Sequence, residues 1–480
     1  MNRQASSMQY RLPALLLVAV FAVGMVALDR GGRERSIATV RVRSVIDGPT
    51  VPGADAVSVA WYCTEGTANE DGRADEAVLI ANLSKKPLEA TITVMHGANE
   101  DPVVETRTVE ALAQERVQVA DLVDAEEPGV VVEFQGGPAI VEHELRNEDK
   151  VAVGPCAREP SRDWFFAAGT TERGAQEWLT LFNPFGEDAI VNVSFLTTSG
   201  FDAPGATQGV AVPRRSRVSI PVHEQVQREE SVAIAVHTRN GRVVAERSLL
   251  FDGTETRVGI AVSAGVTGSA RRWGIPLGLA QEGITESVSI ANFSTRPAKV
   301  RVRVLFGSEV TLEPQSVDVS ARSVTRVSLS DRVVQGSTYG VDVRVTKGSG
   351  VVVEGFTSWV PPAAVADVAT TMGAATRAKT WVFAVGELDD ASDAYLIAAN
   401  VSDRPLTVQL YAYTAGDPNS PRSAPARAVA PGELAVFVMS EIGVRPDQVI
   451  VVSADGPIVA GRLAAGGGLS FSIGVPDLSG

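Results

Sequence analysis

Histidine and cysteine are scarce in this chain, whose 480 residues include four of the first and two of the second. His96, His143, His223 and His237 fall at unrelated positions of the repeat set out below, and Cys63 and Cys156 belong to no C-x-x-C or Cys/His cluster, so no metal site is expected. G-x-S-x-G, H-E-x-x-H, P-loop and dinucleotide fingerprints are missing as well, which removes the usual signs of catalysis and of a bound cofactor. The chain reads as non-enzymatic and cofactor-free. Clustered basic residues are also lacking in the sequence: beyond residue 35 there are 38 basic against 55 acidic groups, a balance that argues against nucleic acid as a partner. Finally, no segment carries a convincing 3.6-residue apolar period, which excludes a helical bundle.

What is present begins with one apolar run. Leu12 to Leu28 is seventeen uncharged residues, about 25 Å long as a helix, the short end of what spans a bilayer. The sole small-x-small exit, Ala22-Val23-Gly24, lies inside the run, so an uncleaved signal anchor is expected in preference to a cleaved signal peptide and secretion. Residues 1–11 then form a cytoplasmic tail, 12–28 a single transmembrane helix in the lipid bilayer, and 29–55 a juxtamembrane stub. The large polar body behind them is the exported part. No second apolar run of comparable length follows. Export permits a disulfide between Cys63 and Cys156, which would tie the start of the first repeat to its end.

The body repeats. Trp61, Trp164, Trp273 and Trp381 open four similar stretches at spacings of 103, 109 and 108 residues. A glycine landmark follows each at 76, 77, 77 and 75 residues, in GPAIVEHE, GRVVAERS, GVVVEGFT and GPIVAGRL. Two anchors held in register over that distance signal tandem domains, here 56–155, 156–265, 266–372 and 373–480. Within each copy the period is two: Val78 and Ile80, Leu179 and Leu181, Val288 and Ile290, and Leu396 and Ala398 put one apolar face on a strand that ends at Asn82, Asn183, Asn292 or Asn400. Runs such as AIVNVSF and KVRVRVLF add further strands, seven or eight per copy. The fold class is all-β, with four tandem antiparallel β-sandwich (Ig-like) domains after one N-terminal transmembrane helix. Small, polar or Gly-bearing stretches near 154–163, 263–272 and 370–380 read as linkers.

The repeat sorts the candidate sites. Asn82, Asn292 and Asn400 open N-x-S sequons, but Pro184 abolishes the one at Asn183, so the repeat keeps the Asn and not the sequon. An Asn that bonds the backbone of a turn explains all four. The tryptophans alternate with Cys63, Phe166, Ile275 and Phe383 and belong to the core, whereas Trp178 and Trp359 are specific to one copy and are weak candidates for exposed contacts. The loop after each Trp strand varies most. Its acidic residues, Asp71 and Glu76, Glu172 and Glu177, Glu282 and Glu286, and Asp389 and Asp393, mark the expected interaction rim. NEDGRADE and ELDDASD have carboxylates of the kind that hold Ca²⁺, but neither follows the EF-hand spacing, so no metal is assigned.

The Trp-aromatic-x-Ala-x-Gly opening, the apolar strand into N-P and the later VVAERS resemble a repeat of secreted and surface proteins. The anchor-plus-four-repeats layout is similar to an uncharacterised actinobacterial envelope protein family of unknown function. The resemblance covers roughly residues 55 to 480; WYC in the first copy and WGIPLG in the third depart from it. It implies location and fold and transfers no site residues. The expected role is a scaffold or interaction module at the cell envelope, its partner an envelope protein or glycopolymer. An accessory carbohydrate-binding protein is the alternative, and a hydrolase is further off.

Overall fold

The computed structural model describes residues 48–480 apart from 277, 308–311, 387–392, 416, 467 and 480. The expected anchor at 12–28, most of the stub and Asp389 lie outside the described residues, and among those described no helix is long and apolar enough to cross a membrane. The described chain is all-β and built from antiparallel sheets.

Each of the first three sequence segments contributes two sheets, and those of the first and of the second share an apolar core. In the first, the Trp strand Val59–Cys63 pairs with Gly129–Phe134, and the strand Asp75–Asn82 lies between Gln114–Gln118 and Ala139–Asn147. The second and third segments repeat this with Asp163–Gly169 beside Val232–Asn240 and Arg272–Ile275 beside Tyr339–Lys347. In the fourth, one strand of 17 residues, Val449–Ala465, serves both layers: its first part pairs with Ala378–Ala384 and its second with Asp393–Ala399. All four leading tryptophans are at most 3 % exposed, and three of them donate the indole N–H to a carbonyl at the start of the landmark strand, Val243, Val351 or Ile458.

The four asparagines do one job. Each side-chain amide donates to the carbonyl four residues on (Lys86, Glu187, Arg296 or Arg404, all at 2.8 Å) and to a carbonyl of the following turn (Val109, Val212, Val319 or Val429). The amide oxygen accepts the N–H two residues on, so a turn's polar groups are satisfied where water cannot reach. Asn183→Ala leaves the buried Val212 carbonyl and the partly buried Glu187 carbonyl without this donor and is expected to destabilise by about 1–3 kcal/mol. Chemical denaturation reads this out, and an unchanged midpoint would contradict it.

Cys63 and Cys156 form a disulfide that joins the Trp strand of the first segment to the residue after its last strand, Lys150–Pro155. Closing a loop of 93 residues is worth roughly 4–5 kcal/mol in the chain-entropy model. Mass mapping without reductant should recover the linked peptide pair, and two free thiols in oxidised protein would refute the bond.

The last strands of the first three segments, Lys150–Pro155, Val258–Ala264 and Asp367–Met372, and the next-to-last strand of the fourth, Leu469–Ile473, pack against one another in a cycle, first to second, second to third, third to fourth and fourth to first. They are largely buried: VGIAVSA reads as a nearly unbroken run of small and apolar residues, whereas LSFSI alternates apolar residues with buried serines. The stretches taken as linkers are part of this packing: Ala157 bridges Tyr62, Val266 bridges Phe165 and Ala374 bridges Gly274, all through backbone hydrogen bonds.

Candidate functional site

The densest polar chemistry lies in the joints between segments. It comes from one position of the landmark strand, three residues beyond the carbonyl that faces the tryptophan, occupied by Glu142, Glu246, Glu354 and Gly461. The next residue along is His143, Arg247, Gly355 or Arg462. Both positions lie in strands central to their sheets, where a charge is costly unless it is matched.

Each glutamate reaches into the preceding segment. One oxygen of Glu246 accepts the N–H groups of Thr64 and Glu65 at 2.8 and 2.7 Å, and the other lies 3.5 Å from His143 Nε2. Glu354 repeats this, taking the N–H groups of Ala167 and Ala168 at 2.8 Å on one oxygen and Arg247 at 2.6 Å on the other. Glu142 closes the cycle by accepting Ala384 N–H at 3.4 Å and Arg462 at 3.3 Å, both in the fourth segment. The receiving N–H groups start three residues after the tryptophan, at or near the end of the Trp strand.

The fourth joint departs in a coordinated way. Three residues after Trp273 stands Pro276, which has no N–H to give, and the position that would supply the carboxylate is Gly461. A side chain there would begin 2.9 Å from Pro276 Cγ. The cation position is Gly355, so the first donor, the acceptor and the counter-charge are missing together.

A second ring of carboxylates lies behind the first. Glu76, Glu177 and Glu286 were expected on an exposed loop rim; all three are buried, at most 4 % exposed. They point inward because they share a strand face with the apolar residues that precede each Asn. Glu76 lies 3.3 Å from His143 Nδ1, Glu177 lies 3.8 Å from Arg247, and Glu286 accepts a hydrogen bond from the Tyr339 hydroxyl. Asp71 and Glu282 are exposed, Glu172 is half-buried and paired with Arg257 at 2.6 Å, and Asp393 begins the strand Asp393–Ala399. Trp359, expected as an exposed contact, is 4 % exposed and donates to Thr357, while Trp178 is half-buried under the Arg73 guanidinium.

Burial sets the proton affinities. It pushes Glu177 up to about 8, with Arg247 opposing, and Glu246 up to about 7, with His143 and two backbone N–H groups opposing. His143 is pulled down by burial, but Glu246 and Glu76 outweigh this and hold it at about 9. Its two ring nitrogens each face a carboxylate, so the imidazolium has no free lone pair with which to act as a base or ligate a metal. Among the described residues no group of three or more His, Cys, Asp or Glu is placed to hold a metal ion. The arrangement is suited to holding backbone and charge together across joints.

At one end of the ring of last strands lies an apolar cavity of about 90 Å³, lined by Pro155, Ala264, Met372 and Ile473 from the four strands and by Trp273 and Trp381. Gly48 and Pro49, at the start of the described chain, also border it.

Residues 150–377 match DUF5719, a family of unknown function. The stretch runs from the last strand of the first segment to the start of the fourth and so takes in the joint held by Glu354 and Arg247. No curated protein matches the chain significantly. Among solved structures, Thermotoga maritima 1070 is 23 % identical over 22 % of this chain and 94 % of that one, with a TM-score of 0.20. A Streptomyces avermitilis α-L-rhamnosidase bound to L-rhamnose is 9 % identical over 71 % and 45 %, with a TM-score of 0.16. A tetra-tandem repeat from the extending region of a large adhesion protein is 12 % identical over 87 % and 99 %, with a TM-score of 0.10. At these scores none carries an argument about fold or function.

Sequence reasoning missed Glu142, His143, Glu246, Arg247, Glu354 and Arg462 as a functional set. The available signal was a Glu followed by a cationic residue at one offset of the landmark strand, complete in the first two copies, with Gly355 replacing the second member in the third and Gly461 the first member in the fourth.

Proposed function

We propose that the protein is a non-enzymatic scaffold or interaction module of the bacterial cell envelope, in which four Ig-like β-sandwich repeats form one rigid body held at the membrane by the single apolar segment Leu12 to Leu28. One observation carries this reading. The buried charges of three joints are engaged with the backbone and counter-charges of the neighbouring segment, an investment in fixed geometry. The Cys63–Cys156 disulfide agrees with an oxidising compartment outside the cytoplasm. Loops of differing sequence on a constant framework are the natural place for a partner. The carbohydrate-binding alternative needs an aromatic face open to sugar, and the four leading tryptophans are covered.

Crosslinking in the native envelope, followed by identification of the captured species, tests the proposal. A defined protein partner, together with digestion of the body by protease added to intact cells, is the expected result. A body protected from external protease would overturn the location. Capture of glycopolymer alone, with binding on a glycan array, would favour the alternative.

A further inference from the structure

The third segment carries a feature that its counterparts lack. In the sheet that contains Trp273, strand Arg272–Ile275 pairs with Tyr339–Lys347, which pairs with Ala298–Phe306. The register places Arg272, Arg344 and Arg301 side by side in one cross-strand row, and Asp342 beside Arg303 in the next. Trp273, Val302 and Val343, which alternate with these residues, are buried, so the charged set shares the outer face. A fifth arginine, Arg377, reaches Asp342 at 3.3 Å from the start of the fourth segment.

Arg377 at 3.3 Å and Arg344 at 4.0 Å thus approach the one carboxylate, with Arg303 beside it in register and Arg272 and Arg301 in the neighbouring row. Like charges directly opposite on neighbouring strands destabilise a sheet, and arginine cannot shed its proton to escape. The same row in the other segments reads Ala60–Glu133–Thr91, Asp163–His237–Asn192 and Thr380–Ser453–Gln409, so the framework does not require arginine there. Arg301, Arg303, Arg344, Asp342 and Pro314 line an open cavity of about 200 Å³. The Nε atoms of Arg272 and Arg303 are buried and have no hydrogen-bond partner among the described residues. Burial lowers the pKa of Arg377, and so do Arg272, Arg344 and Arg303 against Asp342, which places these three arginines within the field of Arg377.

We infer that this outer sheet face of the third segment is a binding site for a multivalent oxyanion of the phosphate class, held by Arg301, Arg303 and Arg344 with Arg272 and Arg377 beside them. Guanidinium forks match phosphate oxygens bidentately, and a doubly charged group offsets the row's repulsion where a single carboxylate, already present as Asp342, leaves most of it. In a chain of net charge −14 such a concentration of positive charge also selects its ligand locally against the overall field. The site goes beyond the scaffold reading and stands whether or not the protein sits at the envelope.

Calorimetric titration of the full chain at low ionic strength tests it, with inorganic pyrophosphate in one arm and a poly(glycerol phosphate) chain in the other. Binding in either arm, weakened about tenfold or more by Arg344→Gln and by Arg301→Gln but not by Arg107→Gln on an exposed strand of the first segment, is the expected result. Pyrophosphate binding points to a small phosphate, and binding of the polymer alone points to a phosphodiester chain. Thermal unfolding of the unliganded variants supplies a second readout: Arg344→Gln should leave the midpoint unchanged or raise it, because it relieves repulsion. No binding in either arm, binding that survives both substitutions, or an equal loss with Arg107→Gln would overturn the site.

Discussion

Glu354→Ala is expected to destabilise the protein by about 3–5 kcal/mol, the range for removing one partner of a buried ion pair. Arg247 is fully buried and 2.6 Å from Glu354, and the substitution leaves it without that counter-charge. The N–H groups of Ala167 and Ala168 lose their acceptor in the same stroke. A partial rescue is built in. Glu177 lies 3.8 Å from Arg247 and is held up by burial, with the neighbouring charge of Glu354 adding to the rise, so removing Glu354 lets Glu177 ionise and take over part of the pairing. The expected loss therefore sits toward the lower end of the range, and Glu177→Gln combined with Glu354→Ala should cost more than the two single losses added together. Urea unfolding measures all three variants. A loss under about 1 kcal/mol for Glu354→Ala would mean that the joint contributes little.

The second large effect is a fall in stability from mildly acidic to alkaline pH. Burial raises Glu177 to about 8 and holds Glu246, Glu286 and Asp367 at about 7, against ordinary carboxyl values near 4 in the unfolded chain. Between those limits the folded protein keeps protons that the unfolded chain has released, so this stability is full below about pH 4 and disappears as pH rises through 7 to 8. His143 acts in the same direction: held at about 9 against an ordinary value near 6.5, its contribution is present below 6.5 and lost through 9. Thermal midpoints should decline steadily from about pH 5 to pH 9. Glu286 alone accounts for a term on the order of 3 kcal/mol, and Glu286→Gln, which cannot ionise, should flatten the decline. Stability that rises between pH 5 and pH 8 would contradict this account.

The parts of this architecture that could be read from sequence were those whose cause is local. Asn183 announced itself because the bonds it makes lie mostly within its own turn, and Trp164 because its alternation with Phe166 marks a strand facing inward. The disulfide was legible because only two cysteines exist. Glu246 was not legible, since its partners are main-chain N–H groups about 180 residues away that leave no side-chain signature. Glu76, Glu177 and Glu286 were placed on a rim because an acidic residue next to a variable loop looks solvated; only the cations and hydroxyl opposite them show why burial is tolerated. The arginines of the third segment are scattered from 272 to 344 in the chain, and strand register brings them together, with Arg377 added from the fourth segment.

The bond from Arg462 to Glu142 joins residues 320 apart. The first segment therefore leaves its half of a joint open until the last part of the chain has been synthesised: a carboxylate without its guanidinium, and the apolar patch later covered by Val382, Ala384 and Val449, both in water. A product that stops before the fourth segment keeps that wound exposed and should be sticky and open to proteases. Closing the cycle requires the fourth segment, because its residues cover the open face of the first.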